Sequence, residues 1–167
     1  MVKYFIQRLL EKIENSNNVD NYDVVLFDCP PSFSLLSYSV LSCCDLVLIP
    51  INPDFYATKG LNLLLNSLRM RIEPFPVPKI AVFMNKAKTP GGSSIKKYSN
   101  ETQKYLDDAK DVVDFIKRNQ GLKAKVLDTA ILDRTGMKRA VQEGMPSSFR
   151  QDFKNLWEEI ERFINEK

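Results

Sequence analysis

The stretch Tyr22–Ser32, with the sequence YDVVLFDCPPS, decides the fold class of this chain. Its continuous apolar run Val24–Phe27 is typical of a strand that is buried on both faces of a parallel sheet. The run ends on the carboxylate of Asp28, and Pro30 and Pro31 prevent a helix from starting there. We therefore expect Asp28 at the carboxyl end of a buried strand, the edge where open α/β sheets bind ligands.

The rest of the chain alternates between strand-like and helix-like patterns. Further strands are predicted at Leu46–Ile51, Ile80–Met84 and Lys125–Leu127, where short apolar runs occur. Helical apolar spacing predicts helices over Val2–Ile13, Leu35–Cys44, Ala57–Arg71, Glu101–Asn119, Thr135–Glu143 and Phe149–Asn165. This alternation predicts an α/β fold with a parallel sheet flanked by helices. Since neither a repeat nor a boundary interrupts it, residues 1–167 are expected to form a single domain.

Composition excludes several classes of protein. With 167 residues, 44% of them hydrophobic, the chain suits one domain with a sizeable core. The absence of histidine excludes Ser-His-Asp and Cys-His nucleophilic sites and most zinc sites. Cys29, Cys43 and Cys44 lack metal-ligand spacing, which favours a reducing, cytoplasmic setting. An amphipathic pattern follows Met1 directly, so we expect no secretory signal.

Two blocks of sequence resemble a known family. Residues 22–68, YDVVLFDCPPSFSLLSYSVLSCCDLVLIPINPDFYATKGLNLLLNSL, look like the core of the ParA/MinD-type ATPases, the deviant Walker P-loop group, and most of all its ParA partition branch. Residues 130–149, AILDRTGMKRAVQEGMPSSF, resemble a late ParA segment more weakly. The resemblance implies a P-loop NTPase-like fold with ATP and Mg²⁺ as cofactors, and it covers the chain from about Tyr22 onward.

The resemblance assigns roles to residues around the predicted sheet edge. Asp28 would lie in the second switch region as the catalytic residue that orders the Mg²⁺ ion and its waters from the outer shell, a task suited to a carboxylate. Pro30 and Pro31 would stiffen the loop that senses the terminal phosphate. The alternative for Asp28 is a turn cap.

Two later residues are candidate contacts to the base. Asn85 follows the predicted strand Ile80–Met84, where related ATPases pair an amide with adenine; a turn asparagine is the alternative. Asp133 and Arg134 lie where the family approaches the base again. Asp133 could equally cap the next helix.

The chain departs from the family at the phosphate loop. The family pattern Lys-Gly-Gly-x-Gly-Lys-[Ser/Thr] has no counterpart, because the sequence contains no Gly-Lys pair. The motif Pro90-Gly91-Gly92 has no such lysine and follows the wrong strand. We therefore expect an incomplete fold that lacks the N-terminal phosphate-loop unit and does not hydrolyse ATP alone. The strand Val24–Phe27 would then expose an apolar edge that pairs with a second copy or with a separate N-terminal half.

Charge is concentrated in one third of the chain. Eleven Lys/Arg against five Asp/Glu between Lys79 and Lys125 give this part +6, against +3 for the whole chain. Lys86, Lys88, Lys96 and Lys97 lie on or beside one polar loop, where they would favour phosphate backbones without reading sequence. A solvated loop is the alternative.

The C-terminal helix carries a broad apolar face. Some MinD relatives place such a helix on membranes, but residues 150–167 hold four basic and five acidic side chains, whereas membrane-surface helices are rich in Lys and Arg. Packing onto the sheet is the better interpretation, and no membrane partner is expected.

The resemblance implies an ATPase that partitions plasmid or chromosomal DNA. Such proteins dimerise with ATP, bind DNA nonspecifically and respond to a ParB-type centromere-binding protein, which would place this chain in the cytoplasm at the nucleoid. Whether this chain is itself an enzyme depends on the missing loop. The alternative is a non-catalytic fragment that acts as a dimerisation, DNA-binding or regulatory module.

Overall fold

The computed structural model describes residues 5–15, 22–30, 34–72, 77–90, 97–134, 144 and 146–166. Its sheet is formed by β1 (Leu46–Ile51), β2 (Lys79–Ala87), β3 (Ala124–Val126) and β4 (Ile131–Leu132). The order is β1-β2-β3, β4 also pairs with β2, and every described pair is parallel. The predicted parallel α/β sheet flanked by helices is confirmed. The two-residue β4 was not predicted.

The described part of the chain also contains five helices. They are α1 (Phe5–Glu14), α2 (Leu35–Leu41), α3 (Phe55–Ile72), α4 (Asn100–Gln120) and α5 (Ser147–Asn165). α4 shows why such segments begin and end where they do. The Ser99 hydroxyl accepts a hydrogen bond from the Thr102 N–H (3.2 Å), and Gly121 ends the helix with a left-handed backbone at φ 66°. All five had been predicted, with small differences at their ends. The predicted helix Thr135–Glu143 lies outside the described residues.

The core has two layers because side chains of β2 alternate between the faces of the sheet. Ile80, Val82 and Met84 are buried in a cluster with α3 and α4. Ala81 and Phe83 are buried against an apolar face of α5. That face consists of Leu156, Ile160 and Phe163. The predicted packing of the last helix onto the sheet is therefore confirmed. None of the helices in the described ranges has the length and apolar character that crossing a membrane requires.

The prediction of a buried strand at Val24–Phe27 is wrong in this structure. Residues 22–30 form neither helix nor strand, and Val24, Val25 and Leu26 are exposed, Leu26 at 82%. The physical reason is that no described strand lies beside the segment, so its backbone has no ladder partner. The segment is apolar, as the sequence indicated, but the described residues provide no surface that buries it.

Candidate functional site

The carboxyl ends of the strands meet at one edge of the sheet because the strands are parallel. Asn52–Asp54 follow β1 there, and the Asp54 carboxylate accepts a hydrogen bond from the Ala57 N–H (2.8 Å) at the start of α3. Asp128 and Thr129 follow β3 at the same edge. This is the edge where α/β sheets bind ligands, so the predicted site residues are located relative to it.

Asp28 does not stand at the end of a strand. It is exposed, and it belongs to the unpaired segment 22–30. The placement predicted from Tyr22–Ser32 is thus corrected together with the missing strand. Pro30 is exposed as well, and Pro31 lies outside the described residues.

Asn85 lies within β2 rather than after it, since β2 continues to Ala87. The register with β4 shifts between Asn85 and Ala87, and Lys86 between them has a left-handed backbone at φ 58°. Such a bulge is typical of places where a strand redirects its side chains. Asn85 is half-buried at the ligand edge, and its contact to a base stays a prediction.

Asp133 and Arg134 are held by protein contacts. The Asp133 N–H donates to the Ala87 carbonyl (2.9 Å), which extends the β2–β4 pairing. The guanidinium of Arg134 forms a forked pair with the Asp152 carboxylate (2.9–3.1 Å) and lies over the Phe149 ring (5.3 Å). Arg134 therefore ties the end of β4 to α5. The helix that Asp133 was predicted to cap lies outside the described residues.

Glu159 is a structural residue of this edge that the sequence analysis missed. It is only 6% exposed, and its carboxylate accepts hydrogen bonds from the N–H groups of Asp128 (2.8 Å) and Thr129 (2.9 Å). These contacts fix the loop after β3 onto α5. A signal was present, because Glu159 interrupts the helical apolar stripe of Leu156, Ile160 and Phe163.

Two lysines contact the loop after β3. Lys110 pairs with the Asp128 carboxylate (3.0 Å), and its hydrogen bond lowers the pKa of Asp128 below the ordinary value. Lys97 Nζ and the Tyr98 hydroxyl both donate to the Asp128 carbonyl (3.0 Å each). Lys110, Lys97 and Tyr98 therefore all hold this loop by hydrogen bonds.

The four lysines predicted to contact DNA differ in their surroundings. Lys86 is exposed at the bulge, and Lys88 forms a solvent-exposed ion pair with Glu101 (3.6 Å). Lys97 is engaged with the loop after β3, and Lys96 lies outside the described residues. The structure thus leaves the predicted patch with less unpaired charge than the sequence indicated.

The reactivities of Cys29 and Cys44 test whether segment 22–30 is exposed. Burial, with a smaller contribution from its neighbours Cys43, Asp45 and Cys29, raises the pKa of Cys44 to about 11, whereas Cys29 is exposed. Since the thiolate is the nucleophile, iodoacetamide at neutral pH is expected to alkylate Cys29 well before Cys44. Mass spectrometry of digests at successive times measures this, with the denatured chain as the control. Equal rates in the folded chain would contradict the placement.

The sequence lacks the family's phosphate-loop pattern, and the described residues show no cluster of metal ligands. A triphosphate needs backbone amides and a lysine around it, and the sequence has no Gly-Lys pair. Within the described ranges, no group of three or more His, Cys, Asp and Glu side chains is placed to hold a metal ion.

Comparisons with known proteins show what the chain is similar to. A family model described as an AAA domain matches residues 1–75. The sporulation initiation inhibitor protein Soj of Bacillus subtilis is 40% identical over 65 residues, 39% of this chain and 24% of the relative. The chromosome-partitioning ATPase Soj of Treponema pallidum is 26% identical over 144 residues, 86% of this chain. The chromosome partitioning protein ParA of Myxococcus xanthus is 43% identical over 47 residues, 28% of this chain and 17% of the relative.

These matches cover only part of each relative. The alignment with the Treponema protein, which spans most of this chain, takes in 49% of that relative. No solved structure matches the chain significantly. The family-model match and the Soj and ParA relatives support a member of the ParA/MinD-type P-loop ATPase family.

Proposed function

We propose that this chain is the C-terminal part of a ParA-like ATPase that partitions plasmid or chromosomal DNA. The observation that carries the proposal is the Asp-Cys-Pro-Pro block within residues 1–75, which the AAA-domain model matches, directly ahead of a parallel sheet. The names of the Soj and ParA relatives support the same activity.

The chain would carry out this function only when a phosphate loop is present. Asp28 would then order the Mg²⁺ waters from the outer shell, and Pro30 and Pro31 would stiffen the loop that follows it. Asn85 and Asp133 would face the base of ATP. The proposal is supported by the position of Asn85 at the ligand edge of the sheet, and by the lack of a Gly-Lys pair in the chain itself.

Dimerisation, nonspecific DNA binding and a ParB-type partner belong to the same proposal. The +6 charge of the region Lys79–Lys125 supports contact with a phosphate backbone, and Lys86 is an exposed predicted contact. We place the assembled protein in the cytoplasm at the nucleoid. Lys88 and Lys97 would add to the contact where DNA competes with their present partners, and Lys96 would be a further contact.

The missing phosphate loop favours a second candidate function. Without a Gly-Lys pair, the chain would serve as a non-catalytic module that dimerises, binds DNA or regulates an intact relative. The two candidates differ in whether completion of the fold creates a nucleotide site.

Nucleotide binding separates these candidates. We expect no tight binding of a fluorescent ATP analogue by the 167-residue chain, and binding when an N-terminal phosphate-loop unit of a ParA-type ATPase is fused ahead of it. The control replaces the phosphate-loop lysine of the added half with alanine, which should abolish binding. Tight ATP binding by the chain alone would refute its incompleteness. A folded fusion that binds no ATP would favour the non-catalytic module.

A further inference from the structure

α3 and α4 lie side by side on one face of the sheet. Both helices contribute buried residues to the same core cluster, and the Gln120 side-chain amide donates a hydrogen bond to the Asn66 Oδ1 (2.6 Å) across the seam between them. Each helix returns from the end of one parallel strand to the start of the next, so the two helices run in the same direction. Together they form one surface layer of the described structure.

The outer side of this layer exposes three large apolar side chains. Leu63 and Met70 on α3 are 71% and 83% exposed, and Phe115 on α4 is 60% exposed. Since Leu63 and Met70 are seven residues apart, they lie on one side of α3, opposite the buried Leu61 and Leu65. Exposed apolar side chains on two adjoining helices are typical of an interaction surface.

The two helices of the layer differ in charge. α3 has no acidic residue, and its basic residues are Lys59, Arg69 and Arg71. The stretch 107–114 of α4 contains four aspartates and one lysine. That lysine, Lys110, pairs with Asp128 in the loop after β3 (3.0 Å). The exposed aspartates of the stretch are Asp107, Asp111 and Asp114. The layer is therefore basic on α3 and acidic along the middle of α4.

The hydrogen bond across the seam fixes the levels of the two helices relative to each other. Lys59 and Asp111 lie seven and nine residues before the bonded residues, so at about 1.5 Å per residue their levels differ by about 3 Å. Leu63 and Phe115 lie three and five residues before them, and their levels also differ by about 3 Å. A basic residue and an apolar residue of α3 thus have an acidic and an apolar counterpart on α4 at nearly the same height.

We propose that the outer surface of α3 and α4 binds the same surface of a second copy of this chain, with α3 of each copy against α4 of the other. A twofold axis parallel to the helices produces this arrangement and keeps every residue at its own level. Lys59 of each copy then faces Asp111 of the other copy, and Leu63 packs with Phe115. Because these contacts lie on the outer helix faces, the pairing needs no nucleotide and goes beyond the proposed function.

The charges favour this arrangement over the other symmetric one. A twofold axis that lies in the interface but runs perpendicular to the helices would place α3 on α3 and α4 on α4. The basic residues of α3 would then meet their own copies, as would the aspartates of α4, and like charges across an interface oppose binding. The axis parallel to the helices brings opposite charges together, so the surface is complementary to itself.

The experiment follows the oligomeric state of the 167-residue chain by sedimentation, without nucleotide and over a series of micromolar concentrations. We expect a monomer–dimer equilibrium that weakens by more than about tenfold in Lys59→Glu and in Asp111→Lys, because each change places like charges opposite each other. The double variant exchanges the two charges, so its dimer should recover to within about threefold of the unchanged chain. Leu63→Asp should also weaken the dimer, because a carboxylate would be buried against Phe115.

Glu158→Lys is the matched control. It makes the same change of charge as Asp111→Lys at an exposed position of α5, which packs on the opposite face of the sheet, so its dimer should be unchanged. Lys59, Asp111 and Leu63 are exposed as well, and circular dichroism should show that every variant is folded.

Three outcomes would each overturn the inference: a chain that stays monomeric, a dimer that the single variants leave unchanged, and a double variant as weak as the single ones. The second outcome would indicate pairing through another surface, such as the segment 22–30. None of these results depends on ATP, so the proposed function is tested separately by nucleotide binding.

Discussion

Replacing Glu159 by alanine is expected to lower the free energy of unfolding by about 3 kcal/mol. The buried carboxylate accepts two backbone hydrogen bonds, from Asp128 and Thr129, and each bond to a charged group contributes about 1.5–3 kcal/mol. Both N–H groups would lose their acceptor, and the loop after β3 would lose its connection to α5. Urea unfolding followed by circular dichroism measures the change.

The neighbouring Glu158 provides a matched control. Its side chain is exposed and reaches Lys154 only at 3.9 Å, so Glu158→Ala should change stability by less than about 0.5 kcal/mol. Glu159→Gln keeps the shape and one acceptor oxygen, and it should give an intermediate loss. If Glu159→Ala and Glu158→Ala were equally stable, the buried carboxylate would not be holding the loop.

Local sequence patterns were sufficient to predict the helices and strands that bury an apolar face against a neighbouring element of the same chain. α3 and α4 show this, because their helical apolar stripes meet β1 and β2 in one cluster. The strand β2 was also predicted, but its last residues were not. The bulge at Lys86 depends on pairing with β4. That strand has only two residues, too few to show an alternating apolar pattern in the sequence.

The segment Val24–Phe27 shows the limit of such patterns. An apolar run indicates that a segment is suited to the interior of a sheet. To pair there, the segment also needs a neighbouring strand from another part of the protein. No described residue supplies that strand, so the same side chains that predicted burial are exposed. The resemblance had anticipated a missing neighbour beside this run, and that stays a prediction.

Contacts between distant residues were the other part that the sequence did not reveal. Arg134 was considered as a residue near the base, but its partner Asp152 lies on α5, 18 positions away. The forked geometry of a guanidinium with a carboxylate is a property of the fold, and no spacing rule in the sequence indicates it.

Within a completed protein, Asp28→Asn is expected to lower ATP hydrolysis by about 10- to 100-fold, the usual effect of removing a group that orients metal ligands. The substitution removes the charge while preserving size. Folding should be unaffected, since Asp28 is exposed in the chain alone. The measurement is the rate of phosphate release by the fusion with an N-terminal phosphate-loop unit of a ParA-type ATPase, with ATP affinity determined in parallel.

Asp23→Asn is the control for this prediction, because Asp23 is an exposed carboxylate of the same segment at the opposite end of the apolar run. If segment 22–30 joins the sheet as a strand, Asp28 reaches the ligand edge while Asp23 stays at the far end. Only Asp28→Asn should then slow hydrolysis. Equal rates for the two variants and the unchanged fusion would show that Asp28 takes no part in the nucleotide site, and that the family role assigned to it does not apply.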